Sequence, residues 1–299
     1  MTQPDKSSRP GPQPRSGPGL FRLRAEVLES EHLAADHHRL LLAAPEIGAI
    51  AEPGQFIHVW CHPPDEIDRP PCAALLRRPY SISRLSPDAG VEILLRVRGV
   101  GGRLLAAKSP GESLDIIGPL GRGFHADPGL STAVIVTGGV GLAPVPFLVE
   151  RLVAGKHRVI LLAGAETDEK IPFRVRRPRA GRATLPDLEA LGAEVTFVSE
   201  SVEGILITQV VEARLGELFE EGTGMFACGP RAMLARLSEV TGGHIPLQVS
   251  LEERMACGVG ACRSCVVPMC SAEGAAYKTV CRDGPVFDAA EVDWERLIP

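Results

Sequence analysis

The sequence predicts a multi-domain protein: an antiparallel β-barrel, then a doubly wound parallel α/β domain, then a small C-terminal hairpin module. Three observations carry this. Short strands punctuated by Pro and Gly run from Leu20 to about Ile117. From Ser131 onward, continuous apolar strands alternate with helical stretches. Five of the eight cysteines fall in the last 45 of the 299 residues.

In order along the chain, residues 1–19 are rich in Pro, Gly, Ser and Gln, cannot bury a core, and are expected to be a disordered tail. In the barrel, assigned to 20–127, GQFIHVW (54–60), RRPYSIS (77–83) and VEILLRVRG (91–99) read as strands, with a short helix near 101–108. The segment IIGPLGRGF (116–124) reads as closing it, and fits a Gly/Pro turn between domains equally well. The α/β domain, assigned to 128–245, opens with STAVIVTGG, a buried parallel strand ending in glycines. Helix is expected over 143–155, 185–193, 207–221 and 231–241, and strand over 157–165, 194–200 and 224–230. The basic segment FRVRRPRAGR (173–182) reads as a solvated loop. Residues 246–299 form the third unit.

Composition excludes several functions. A net charge of −5 provides no electrostatic footprint for nucleic acid or an anionic membrane. At 4% aromatic residues, stacking platforms for single strands are not expected either. No apolar run reaches 18 residues and the N-terminus lacks a signal-peptide core, so a cytoplasmic setting is expected. There, clustered cysteines favour metal or redox chemistry over disulfides.

Cys257, Cys262 and Cys265 follow C-x4-C-x2-C, which with one distant cysteine is the plant-type [2Fe–2S] spacing. The small residues of CGVGAC let backbone N–H groups approach cluster sulfurs. A zinc site more often shows two close C-x2–4-C pairs. Cys270 and Cys281 compete as fourth ligand. VVPM (266–269) and AYKTV (276–280) read as a hairpin turning at SAEG; centred near Glu273, it sets residue 265 opposite 281. Cys270 then lies five residues up the strand, about 16 Å away at ~3.3 Å per residue. The metal set is therefore Cys257, Cys262, Cys265 and Cys281.

A one-electron centre needs a donor or acceptor. In Arg78-Pro79-Tyr80-Ser81, strand alternation sets Arg78 and Tyr80 on one face and Ser81 on the other. An Arg fork suits a pyrophosphate, a Tyr ring can cover a flavin and a Ser hydroxyl can bond its polar edge. Alone, four residues also fit an ordinary strand. The motif resembles the R-x-Y-S flavin signature of ferredoxin–NADP reductase-like flavoproteins, whose order is FAD barrel then nucleotide domain. That resemblance implies flavin-phosphate contacts at Gly101 and Gly102, although Gly102 stands where the related pattern often has Thr. The cofactor-binding set also includes Leu94, Leu95 and Arg96. It implies NAD(P) diphosphate binding at Gly138, Gly139 and Gly141, with Pro144 in place of a third fingerprint glycine. Cys228-Gly229-Pro230 ends a strand where open sheets bind ligands, and the resemblance sets it near the nicotinamide. By its residues alone, Cys228 reads more readily as a buried structural thiol.

Together the three parts resemble the electron-transfer subunit of class 1B dihydroorotate dehydrogenase. The tail carries this most specifically, in SLEERMACGVGACRSCVVP and VCRDGPVFDAAEV. A related electron-bifurcating ferredoxin:NADP oxidoreductase subunit has Asp in place of the first cysteine, where this chain has Cys257. The resemblance implies an oxidoreductase subunit of pyrimidine biosynthesis. Its cofactors would be FAD and a [2Fe–2S] cluster, with NAD as acceptor. Its partner would be an FMN-containing catalytic subunit in an α2β2 complex that holds the dihydroorotate chemistry; no catalytic base is assigned here. The alternative is an NAD(P)H:acceptor reductase subunit of sulfide dehydrogenase, ferredoxin:NADP oxidoreductase or hydrogenase type.

Overall fold

Six strands close on themselves in the first third of the chain: β1 (Phe21–His32), β2 (His37–Ala43), β3 (Phe56–Val59), β4 (Arg78–Ser86), β5 (Gly90–Arg96) and β6 (Ser113–Leu120). Their order is β1-β2-β5-β4-β3-β6, with every pair antiparallel. The computed structural model describes residues 19–297 except 35, 62–74, 87–89, 180, 219 and 272–275. The expected tail falls outside these but for residue 19. Period-2 alternation turns Ala25, Val27, Leu40, Leu42, Ile57 and Ile93 inward, where all six are fully buried. The helix Gly99–Ala106 caps this core with Leu105.

The second sheet holds β7 (Thr132–Gly138), β8 (Arg158–Ala165), β9 (Glu194–Ser199), β10 (Thr223–Cys228) and β11 (Leu247–Ser250), all parallel. The cysteine hairpin follows as β12 (Val266–Met269) and β13 (Ala276–Thr279). Last comes β14 (Val286–Asp288), which returns to pair antiparallel with β11. The sheet order is β14-β11-β10-β7-β8-β9. Chain order reverses between β7 and β10, so their C-terminal ends flank the crevice in which doubly wound sheets hold ligands. The sheet also runs across the expected 245/246 division, because β11 and β14 both come from the last unit.

Two expected helices are shorter than the periodicity suggested. Residues 185–193 give only Pro186–Glu189, and 207–221 breaks into Ile207–Ala213 and Leu215–Leu218. Gly192 takes a left-handed φ of 99° and ends the first; Gly216, a poor helix former, weakens the second. The basic segment is paired rather than merely solvated. Arg174 bonds Asp187, Arg176 bonds Glu189, and Arg177 bonds Asp168 and Glu203.

The units share cores. Phe147, on the helix Val145–Ala154, is buried among barrel residues, and Arg84 of β4 pairs with Glu150 of that helix. Val267, Val280, Val292 and Leu297 of the hairpin unit join one cluster with Val136, Met225 and Val249 of the sheet.

Candidate functional site

Sequence places three cysteines on one tight loop, and the loop's backbone turns toward their sulfurs. Cys257 Sγ accepts from the N–H groups of Val259 and Cys262, both at 3.4 Å, and Cys281 Sγ accepts from Gly260 N–H at 3.1 Å. The winding needs left-handed residues at Gly258 (φ 73°) and Gly260 (φ 82°). A side chain at Gly258 would also drive its Cβ to 2.3 Å from His58 Nδ1. The thiols gather in twos: Cys262 lies within hydrogen-bonding reach of Cys257, and Cys281 of Cys265. Among the described residues, no three such side chains close on a single ion. Two pairs are what a two-iron cluster takes, two thiolates to each iron. The N–H groups already aimed at sulfur are what such a cluster needs to offset its charge, so the residues fit it.

The two pairs sit in different surroundings. Cys265 and Cys281 are each 2% exposed and belong to the shared core, whereas Cys262 is exposed. Burial pushes the Cys281 thiol up, while the Ser264 hydroxyl beside Cys262, at 3.2 Å, holds that thiol down. The hairpin register is one residue off the expected one. Val266 pairs with Thr279, so Cys265 faces Val280, whose N–H donates to the Cys265 carbonyl. Cys281 is then one step further on, in the turn after β13, and still meets Cys265. Cys270 lies at the far end of β12, its thiol 3.5 Å from the Val292 carbonyl.

Between barrel, sheet and cysteine loop lies a cavity of about 230 Å³. Pro79, Tyr80, Ser81, Leu94, Leu95 and Arg96 line its barrel side. Val140, Ala143 and Pro144 of the glycine turn close a second side, and Ser250 to Glu253 with Met255 a third. It is smaller than the ~300–1,000 Å³ of whole-ligand clefts, which suits a ring whose phosphates lie outside. Pro79, Tyr80 and Ser81 all line it, so strand alternation does not separate Tyr80 from Ser81 there. Arg78, Gly101 and Gly102 lie beyond the cavity. A Cβ on Gly101 would come 3.2 Å from Cys61 Sγ and 3.6 Å from the Arg78 side chain, so the first turn of Gly99–Ala106 approaches that side chain closely. A fixed cation beside free N–H groups is a phosphate cradle, and the residues fit FAD.

The two glycine turns pack against each other at the crevice. A Cβ on Gly141 would lie 2.2 Å from the Cys228 carbonyl oxygen, and one on Gly229 would lie 3.0 Å from Gly138 N. Gly138, Gly139 and Pro230 line a second groove of about 450 Å³, which Arg96 joins to the first. Cys228 is buried, and its thiol is pushed up to about 12 by that burial and by the nearby Glu252 charge. It is a neutral thiol at the edge of the crevice.

Residues 252–293 match the iron-sulfur cluster binding domain of dihydroorotate dehydrogenase B. The chain is 36% identical over 276 residues to the dihydroorotate dehydrogenase B (NAD(+)) electron transfer subunit of Desulforamulus reducens, covering 91% of this chain and 98% of that one. It is 35% identical over 278 residues to the subunit of the same name from Bacillus caldolyticus, with 91% and 99% covered. The chain belongs to the dihydroorotate dehydrogenase B electron transfer subunit family. In fold it is similar to a solved NADH-dependent reduced ferredoxin–NADP oxidoreductase, with a TM-score of 0.75, 22% identity and 92% of each chain covered.

Several residues that line the site stand outside the predicted binding set. His58 of β3 is fully buried against the cysteine loop, and burial and the Arg77 charge lower its pKa to about 4. It was one of eight scattered histidines, and no spacing marks it. Val140, Pro144, Glu252 and Met255 line the cavity. The last two had a signal, since they follow a strand of the sheet and precede Cys257 by five residues and two. Among the described residues no helix is long and apolar enough to cross a membrane.

Proposed function

We propose that this chain carries electrons singly from an FMN-bearing catalytic subunit through a [2Fe–2S] cluster at Cys257, Cys262, Cys265 and Cys281 to FAD, and on as a pair to NAD+. The catalytic subunit oxidises dihydroorotate, and the working assembly holds two copies of each chain. One observation carries the reading: Met255 walls the flavin cavity and stands two residues from Cys257, about 7 Å of chain at most. A flavin ring in that cavity and a cluster on those cysteines would therefore be neighbours.

When bound, FAD supplies exchange between one- and two-electron transfer, and the cluster supplies passage of one electron at a time. The chain's own residues do the rest. Arg78 and the N–H groups at Gly101 and Gly102 hold the flavin phosphates. Leu94, Leu95 and Tyr80 would exclude water from the ring, and the Ser81 hydroxyl would be available to its polar edge. Gly138, Gly139 and Gly141 let the nicotinamide cofactor's diphosphate approach the backbone, while Cys228-Gly229-Pro230 backs the crevice where its ring meets the flavin. Glu166 and Glu200, at the ends of β8 and β9, line that groove. Glu166 pairs with Lys170, and the groove's Arg96 and Arg236 pair with Asp36 and with Glu212 and Glu239, so Glu200 is left to favour a free ribose diol over a 2′-phosphate, which supports NAD over NADP. Glu200→Ser should narrow the gap between KM for NADPH and KM for NADH, measured on the flavin half-reaction; an unchanged ratio removes Glu200 from this role.

Co-expression with the catalytic subunit, followed by assay of dihydroorotate-dependent NAD+ reduction, tests the whole. Activity that requires both chains is expected. A complex that retains FAD and iron yet reduces no NAD+ overturns it.

A further inference from the structure

Electrons that arrive through an iron–sulfur cluster bring no protons, yet a flavin that passes on a hydride must first gain two electrons and one proton. On the reading above, that proton enters inside the cavity, so its walls must hold a group that can give one. Four titratable side chains line it: Tyr80, Arg96, Glu252 and Glu253. Arg96 is a permanent cation paired with Asp36. Burial pushes the Tyr80 hydroxyl above its ordinary range, and its proton is out of play near neutral pH. Glu253 is ion-paired with Arg231. Glu252 differs. Solvent reaches it, but the surrounding walls press its pKa above the usual carboxylate range, against the opposing charge of Arg231. That countercharge is itself tied to Glu253 and to the Glu252 carbonyl.

Glu252 also has a supply side. It lines a second cleft of about 600 Å³, shared with Gly229, Arg231, Leu234, Leu251, Glu253 and Arg254. The groups facing it are Arg231 on the helix Arg231–Thr241, Glu253 and Arg254 on its own segment, Cys228 at the end of β10, and Tyr80 and Arg96 across the cavity. Glu252 and Glu253 both join the flavin cavity to the second cleft, but Glu253 is tied to Arg231; among the described residues Glu252 is the carboxyl group there without an ion-pair partner.

We propose that Glu252 is the proton donor to the flavin. Its carboxyl O–H bond breaks as the ring takes up two electrons from the cluster side, the proton passes to the ring, and the carboxylate left behind regains a proton from water through the second cleft. The hydride given to NAD+ then carries that hydrogen with both electrons.

The test compares two routes into the same flavin, in the full chain loaded with FAD and cluster. Reduced methyl viologen delivers single electrons without a proton; NADH delivers a hydride that needs none. In stopped flow, Glu252→Gln should slow flavin bleaching by the viologen about 100-fold. It should also abolish the solvent deuterium effect and the fall in rate with rising pH that the unchanged chain shows as Glu252 ionises. Bleaching by NADH should slow far less than bleaching by the viologen. Equal slowing of both routes, or of neither, overturns the proposal. Should Glu252→Gln fail to retain FAD, Glu252→Asp serves instead: it should keep a pH-dependent viologen rate, and a pH-independent one rejects the assignment. If NADH does not bleach the unchanged chain, the NAD reading fails while the viologen arm still decides on Glu252.

Discussion

Cys281 and Cys270 are both cysteines of the hairpin unit, but only one has its sulfur in the loop. Cys281→Ser should lose the iron and the visible absorbance of the cluster, and Cys270→Ser should keep both. The reverse result, read by iron content and electron paramagnetic resonance, sinks the ligand assignment. At Gly141 the cost is steric. An alanine methyl would press on the Cys228 carbonyl, and relieving the overlap should cost about 1–3 kcal/mol and weaken nicotinamide binding. Chemical denaturation of Gly141→Ala, with a titration of NAD+, measures both. Ligands and glycines of this kind were legible because spacing and the bareness of glycine are sequence properties. His58 was not: what singles it out is burial against Gly258, a contact between residues 200 apart in the chain.

At the scale of elements, legibility followed the strength of the pattern. The helix Arg231–Thr241 and the strand Val266–Met269 have the boundaries their apolar runs imply. The hairpin register slipped by one because it depends on the turn, where composition says little about loop geometry. β1 and β2 went unnamed because charged outer faces, such as Arg22, Arg24 and Glu26, mask the inward Ala25 and Val27. The barrel carries a pH-dependent brace. Burial alone would raise the Asp115 carboxyl, but hydrogen bonds from Arg22 and Arg77 outweigh it and hold its pKa below the usual range. A depressed carboxylate stabilises above its unfolded pKa of about 3.9, and that contribution fades as pH falls toward the folded value. Asp115→Asn should therefore lower the melting temperature at pH 7 and make progressively less difference below about pH 4. An equal loss at both pH values would assign the effect to packing instead.

Across the whole molecule, the three units that the sequence divides are one packed body. Phe147 belongs by sequence to the nucleotide domain and by burial to the barrel. Phe147→Ala should cost about 3–5 kcal/mol and shift one calorimetric transition downward. Two separating transitions would show the units to be independent. Sequence texture suggests the three units by the change at Ser131 and the cysteine cluster near the end. It could not show that β11 and β14 carry the last unit into the sheet of the second, since strand pairing is settled by partners distant along the chain.

That last pairing has a consequence for the order in which the molecule is made. Until residues 286–288 leave the ribosome, β11 is an open edge, its N–H and C=O groups free to recruit a strand from any neighbouring chain. The segment that seals it is reached only after all four cluster cysteines have been synthesised. A nascent chain thus keeps its sheet unfinished until every sulfur of the redox centre is present, and a product that stops before Val286 exposes an adhesive border instead of merely losing a tail.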